Sequence, residues 1–409
     1  MTLSSLSCRA FQRGFAFGAR LLPWRTPTVL AGTGSLMQLP DVFVREGAKC
    51  PLVVASRRLC ADERFLTLRR ALEGRGVRLS VYSDVESNPS VDTVERIAAQ
   101  YRTDRCDSFL VLGGGSPIDA AKAAAARIVR PDRILAQLGG LMRVRHTLPL
   151  FIAVPTTAGT GSEATIAAVI TDGAHRKYAI SDLCLIPHYA VLDPTLTLSL
   201  PPVITAQTGM DALTHAIEAY LSRYYNTQET RDLAESAVRD IFRYLPVACR
   251  DGQSLTARER LLRASFDAGR AFTRASVGNV HAAAHAIGGV YGTPHGLACA
   301  VTLPVVLADY GESVFPQLAR LGTIIGLTGS ERERAQGFLA AVCSLNVSLG
   351  IPDRLSFLRP EDFPRMAAWA AAEANPLYPV PVIYDAAHFC RIFAQLRALR
   401  ERINTLPDT

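Results

Sequence analysis

The chain has no CxxC pair, no run of eighteen apolar residues, no acidic residue before position 41 and no internal repeat or low-complexity tract in its 409 residues. Each absence removes a class of protein. Without a long apolar run there is no candidate spanning helix. The nine cysteines are scattered and odd in number. They argue against a disulfide framework and against a thiolate metal site, and read as reduced thiols in a cytosol-like compartment. Aromatics amount to only 7 %, and no basic stripe is interleaved with them, so the net charge of +7 marks no nucleic-acid surface. A mild basic balance suits an anionic small ligand instead. The acid-free start holds four arginines, Arg9, Arg13, Arg20 and Arg25. That is the composition of an organellar transit peptide. However, LLPWRTPTVLAGTGSL leads into a strand-and-turn pattern without a break. The segment is therefore read as part of the first domain and the location as cytoplasmic, with the mitochondrial matrix as the alternative.

What is present is a globular composition, 49 % hydrophobic and 20 % charged, in a chain long enough for two domains. The first half alternates. Apolar runs at PLVVAS (51–56), RLSVYS (78–83), SFLVLG (108–113) and PLFIAVP (149–155) are separated by helical patterns at 62–76 and 91–102. This spacing predicts βαβ units and a parallel sheet. After Pro201-Pro202 the segments 203–224, 227–249, 255–274, 279–290 and 331–349 all read as helices. The expected division is an α/β domain over 1–200 and an all-helical domain over 201–409.

Two loops of the first half are rich in small and hydroxyl residues. VLGGGSPIDAAK (111–122) ends a strand in three glycines and opens a helix, with Gly114, Gly115, Ser116 and Asp119 at the turn. Such a turn lets backbone N–H groups approach a diphosphate at a helix N-terminus. It is not the GxGxxG of an ordinary Rossmann site. AVPTTAGTGSE (153–163) adds Thr156, Thr157, Thr160 and Ser162 after another strand. Both loops are expected at the carboxyl edge of one sheet, where open α/β folds bind ligands.

The second half concentrates imidazole. VGNVHAAAHAIGGVYGTPHG holds His281, His285 and His295, three of the chain's eight histidines, in an alanine-rich stretch. In GMDALTHAIEAY, Asp211 and His215 are four apart and share a helix face. His281 and His285 share another. A carboxylate and three imidazoles suit a divalent first-row metal, with one position open for a substrate oxygen.

The motifs GGGSPIDAAK, PTTAGTGSE, GMDALTHAIE and HAAAHAIGG followed by TPHG, in this order and spacing, closely resemble the iron-containing (group III) alcohol dehydrogenases. The resemblance runs from about residue 27 to the ANPLYPVP segment. It implies a dehydroquinate synthase-like architecture with a metal in the cleft between the two domains. It places the metal ligands on Asp211, His215, His281 and His295, and a further active-site histidine on His285. It places the pyrophosphate on Gly114, Gly115 and Ser116. Adenine and nicotinamide contacts fall on Thr156, Thr157 and Thr160, a lysine near the nicotinamide ribose on Lys177, an adenosine-side asparagine on Asn88, and a substrate-facing aromatic on Phe272. The implied cofactors are Fe2+, with Zn2+ compatible with the same donors, and NAD or NADP. The expected partner is a small-molecule alcohol or aldehyde, with neither nucleic acid nor membrane, and the expected assembly a homodimer or higher homo-oligomer.

One departure bears on the nicotinamide. Many relatives end the second strand with an aspartate that would bind both ribose hydroxyls. Here Ser56 takes that place, followed by Arg57 and Arg58. Losing the carboxylate removes repulsion against a 2′-phosphate, and arginine pairs with one. The implied chemistry is hydride transfer between a primary alcohol's carbinol carbon and the nicotinamide, with His285 relaying the proton. The small apolar stretch 164–169 is expected to line a pocket for an unbranched or aromatic alcohol. The alternatives are a hydroxyacid–oxoacid transhydrogenase or a maleylacetate reductase-like enzyme on the same fold. A non-catalytic metal- or nucleotide-binding protein is the alternative from another class.

Overall fold

The computed structural model describes residues 5–174 and 176–398. Its strands are β1 (Thr28–Ala31), β2 (Pro51–Ala55), β3 (Ser80–Tyr82), β4 (Ser108–Gly113), β5 (Gly140–Leu141), β6 (Leu150–Pro155), β7 (Ala167–Thr171), β8 (Lys177–Ser181) and β9 (Tyr189–Leu192). The helices before residue 200 are α1 (Ser5–Ala19), α2 (Leu39–Glu46), α3 (Arg57–Cys60), α4 (Glu63–Glu73), α5 (Val91–Thr103), α6 (Gly115–Val129) and α7 (Leu135–Leu138). Those after it are α8 (Pro202–Leu221), α9 (Gln228–Arg250), α10 (Leu255–Ala275), α11 (Asn279–Tyr291), α12 (His295–Tyr310), α13 (Phe315–Ile324), α14 (Glu331–Ser348), α15 (Phe363–Ala374) and α16 (Ala386–Arg397).

Six strands form one parallel sheet in the order β1-β9-β6-β4-β2-β3. The apolar runs are continuous, not alternating, because both faces are covered. Phe109 and Val111 of β4 pack with α5 and α6 residues such as Ile97 and Ile118. Leu110 and Leu112 turn to the opposite face with Phe43 and Leu68 of α2 and α4. A smaller sheet in the order β5-β8-β7 adds an antiparallel β7–β8 pair. The sequence pattern does not announce this pair, because its strands are short and only partly buried. The stretch 164–169 is part buried and part half-buried. Ala164 and Ala168 are core residues, Ile166, Ala167 and Val169 are half-buried, and Val169 offers its N–H to Asp119.

Among the described residues no strand follows Leu192. Helix α8 is buried on nearly every side, from Thr205 through Leu221 apart from Gln207 and Thr208, which is the signature of a central helix. The stretch His295–Ile324 is apolar enough by composition to cross a bilayer, yet 67 % of its most apolar window is buried inside the helical half. The first helix was not foreseen. Although α1 leads the chain, its donors reach residues 376–381. Arg9 donates to the Val380 and Pro381 carbonyls, and the fully buried Gln12 donates to those of Pro376 and Tyr378.

Candidate active site

The cofactor side is assembled from two neighbouring strand ends. β4 pairs with β6 with Gly113 opposite Pro155, so the glycine loop and the threonine loop leave the sheet side by side. Thr157 and Thr160 lie against Gly114 and Gly115, where an added Cβ would come within 3.1 Å of the Thr157 hydroxyl oxygen and 2.8 Å of the Thr160 methyl. The α6 N-terminus starts at this turn with no side chain capping it, which leaves its N–H groups for an anion. Thr156 donates its backbone N–H to Gly113. The Ser116 hydroxyl donates to the Ser87 carbonyl, next to exposed Asn88. Asp119 and Ser162 turn inward instead. The Asp119 carboxylate accepts from Val169 N–H at 3.0 Å, and burial pushes it up to about 6.

The threonine loop also wedges against the helical half. Gly161 has a left-handed φ of 60°, and a Cβ there would sit 2.7 Å from the Cα of Gly269 on α10. Only two glycines permit that approach. Lys177 on β8 points across the cleft, its Nζ near Gly288 of α11. Burial lowers its pKa, against which Cys299, Asp119, Glu373 and Asp211 act.

Three helices meet at the other wall. α8 supplies Asp211 and His215, α11 supplies His281 and His285, and α12 starts with His295. Around Asp211 Oδ1 stand His215 Nδ1 at 4.0 Å, His281 Nε2 at 3.7 Å and His295 Nε2 at 3.4 Å. The approach of α12 depends on Gly296, where a Cβ would lie 2.2 Å from the Gln207 carbonyl of α8. Asp211 Oδ1, His215 Nδ1 and His281 Nε2 are all buried without a hydrogen-bond partner. Each such orphan costs about 1–3 kcal/mol. A divalent cation among them satisfies all three at once, so the donor set fits the expected metal. His295 keeps 27 % of its side chain exposed against 6 % or less for the other three, which marks the open side of the site.

The surroundings tune these groups. Burial pushes His215 down to about 3. Phe272 stacks on the same ring at 4.1 Å and 14°. Burial likewise holds His295 low. His281 runs the other way, because Cys299, Asp211 and Glu218 outweigh its desolvation. Glu218 accepts from Val280 N–H at 2.7 Å and holds His281 Nδ1 at 2.5 Å, leaving Nε2 for the site. A carboxylate behind a ligating imidazole fixes its tautomer. His285, in contrast, lies outside the Asp211 cluster. Its ring stacks on His295 at 5.1 Å, and its Nδ1 lies 2.7 Å from Glu373.

A thiol stands beside this cluster, although the scattered cysteines pointed to no thiolate metal site. Cys299, one turn beyond His295 on α12, has its Sγ within 4.8 Å of ligand atoms of Asp211, His281 and His295. Motif reading missed Cys299, Glu218 and Glu373. The first two each lie a helical turn from a ligand, a signal that spacing carries. Glu373 is distant in the chain and carries no such signal.

Two family descriptions match the chain. "Iron-containing alcohol dehydrogenase" matches over residues 26–194, and the C-terminal part of the same family over residues 205–395. The chain belongs to the iron-containing alcohol dehydrogenase family. It is an oxidoreductase acting on an alcohol. A probable alcohol dehydrogenase EutG of Salmonella typhimurium is 38 % identical over 349 residues, covering 85 % of this chain and 86 % of that protein. A 1,3-propanediol dehydrogenase of Klebsiella pneumoniae is 38 % identical over 353 residues, covering 82 % and 90 %. Among solved structures, a 1,3-propanediol oxidoreductase superposes with a TM-score of 0.87 at 32 % identity, covering 92 % of this chain and all of that one. Family members thus share both the sheet and the helical half seen here.

Proposed function

We propose that this chain interconverts small primary alcohols and their aldehydes, with a divalent iron held by Asp211, His215, His281 and His295. The observation that carries this reading is the trio of buried, unpartnered ligand atoms facing one another in the cleft. A second reading for the ion, zinc, is favoured by the Cys299 sulfur beside the site. When bound, such an ion lowers the pKa of an alcohol oxygen or polarises a carbonyl, and the nicotinamide exchanges the hydride. The chain's own residues do the rest. Glu218 keeps the His281 lone pair aimed into the site, and Phe272 covers His215 and shields that side from water. The uncapped α6 N-terminus and the threonine loop packed on it would hold the cofactor's phosphates. His285 stands at the open side, where it accepts or returns the hydroxyl proton.

For the nicotinamide we propose NAD with tolerance of NADP. A relative named NAD-dependent methanol dehydrogenase, from Bacillus methanolicus, is 32 % identical over 80 % of this chain. Ser56 offers no carboxylate to reject a 2′-phosphate, and its hydroxyl caps α3 by accepting from Leu59 N–H. Arg57 is engaged by Asp84 at 2.6 Å, which leaves Arg58 as the arginine available to a phosphate. We further propose a reducing, cytosol-like compartment, supported by nine free cysteines.

Elemental analysis of the purified protein, with an alcohol and aldehyde panel run with both cofactors, tests the reading. The expected result is about one iron or zinc per chain and reversible turnover of primary alcohols with added cofactor. Metal-free protein, or hydride exchange between hydroxyacid and oxoacid without added cofactor, would overturn it.

A further inference from the structure

We propose that Glu373 and Tyr378 position His285, fixing which of its ring nitrogens faces the cleft. The proposal rests on the reading that His285 handles the proton. Glu373, in the last turn of α15, places Oε1 2.7 Å from His285 Nδ1, and the Tyr378 hydroxyl donates to the same oxygen at 2.7 Å. An ionised carboxylate only accepts, so Nδ1 carries the hydrogen and Nε2 is the bare nitrogen. The arrangement repeats the one beside it, where His281 gives Nδ1 to Glu218 and turns Nε2 to the site. Both histidines of α11 are thus set by a carboxylate on the same nitrogen. Glu218 is nearly sealed, with 4 % of its side chain exposed, whereas Glu373 keeps 28 %.

Tyr378 is held in turn. Every backbone carbonyl from Pro376 to Val382 accepts a hydrogen bond from another part of the molecule. Gln12 reaches those of Pro376 and Tyr378, and the Tyr225 hydroxyl reaches Leu377. Arg223 N–H reaches Pro379, Arg9 reaches Val380 and Pro381, and Asn279 reaches Val382. A segment pinned at each carbonyl keeps the tyrosine hydroxyl against Glu373.

The test compares Glu373→Gln, Glu373→Asp, Tyr378→Phe, His285→Ala and the double variant Glu373→Gln/His285→Ala. Metal content, kcat and KM are measured for each, with 15N-histidine spectra of the zinc-loaded protein. Glu373→Gln should lower kcat by about 10–100-fold, the usual effect of removing a carboxylate behind a functional imidazole, with metal content unchanged. Glu373→Asp should recover part of that loss, and Tyr378→Phe should cost about fivefold or less. The double variant should match His285→Ala alone, and the wild-type spectrum should show His285 protonated at Nδ1. Wild-type kcat in Glu373→Gln alongside a slow His285→Ala would overturn the positioning role and leave the relay standing. Full activity in His285→Ala would overturn the relay itself, and the inference with it. Losses that multiply in the double variant would also overturn it. If Glu373→Gln fails to fold, the wild-type spectrum decides, and a His285 protonated at Nε2 contradicts the proposal.

Discussion

The two walls of the cleft are built by opposite means. The α/β wall presents backbone N–H groups, glycines and hydroxyls on two loops at the ends of β4 and β6, with the Lys177 side chain reaching toward α11. The helical wall presents side chains from three helices, each with two residues four apart: Asp211 and His215, His281 and His285, His295 and Cys299. A wall made of backbone tolerates a change of hydroxyl, because the donors belong to the main chain. A wall made of side chains does not. The difference suits the tasks proposed for the two walls, since an extended dinucleotide needs many modest contacts, whereas a cation needs a few donors fixed to within fractions of an ångström.

Breaking the helical wall should give the largest effect. Asp211→Asn leaves the three imidazoles without their central anion. Bound metal should fall to background and turnover at least about a thousandfold, read by elemental analysis and steady-state rates. Gly296→Ala tests the same wall through its backbone. Its new methyl meets the Gln207 carbonyl, so α12 and His295 must shift, and metal affinity should fall roughly 10–100-fold in a chelator titration. Unchanged affinity would show that the close approach of α8 and α12 is not what places His295.

The α/β wall should answer more gently. Ser56→Asp retains the α3 cap, since aspartate caps as well as serine, and adds a carboxylate where a 2′-phosphate would lie. The ratio of kcat/KM for NAD over NADP should rise by about 5–150-fold, the equivalent of roughly 1–3 kcal/mol. An unchanged ratio would mean that Ser56 does not face the ribose. The smallest effect belongs to neither wall. Gln12→Ala removes both donors to the Pro376 and Tyr378 carbonyls and should cost about 1–3 kcal/mol of stability by denaturant unfolding, with kcat within about twofold.

The same contrast explains what the sequence made legible. The sheet showed because a doubly covered parallel strand such as SFLVLG is a continuous apolar run. The cofactor loops showed because glycine and threonine are contiguous there. Asp211, His215, His281 and His285 showed because helical spacing is a local signal. Glu373 did not, since nothing near it in the chain points to His285, 88 residues earlier. Cys299 stands one turn from His295, but scattered cysteines in a reduced chain read as inert core thiols. Helix α1 was not distinguished because the acid-free, arginine-bearing start reads only as a continuation of the first domain, with a leader as the alternative. What Arg9 and Gln12 bind lies at 376–381, beyond the reach of any local pattern.

The division of roles within α11 tests the account most directly. His281 and His285 lie one turn apart on the same helix, both backed by carboxylates, yet only His281 borders Asp211 Oδ1. Metal content and turnover should be measured on the same preparations of His281→Ala and His285→Ala, with circular dichroism confirming the fold. The account predicts that His281→Ala loses its metal, while His285→Ala keeps it and turns over about 10²–10⁴-fold more slowly, the range for a positioned acid–base group. A metal-free His285→Ala, or a His281→Ala with full metal and full activity, would contradict it.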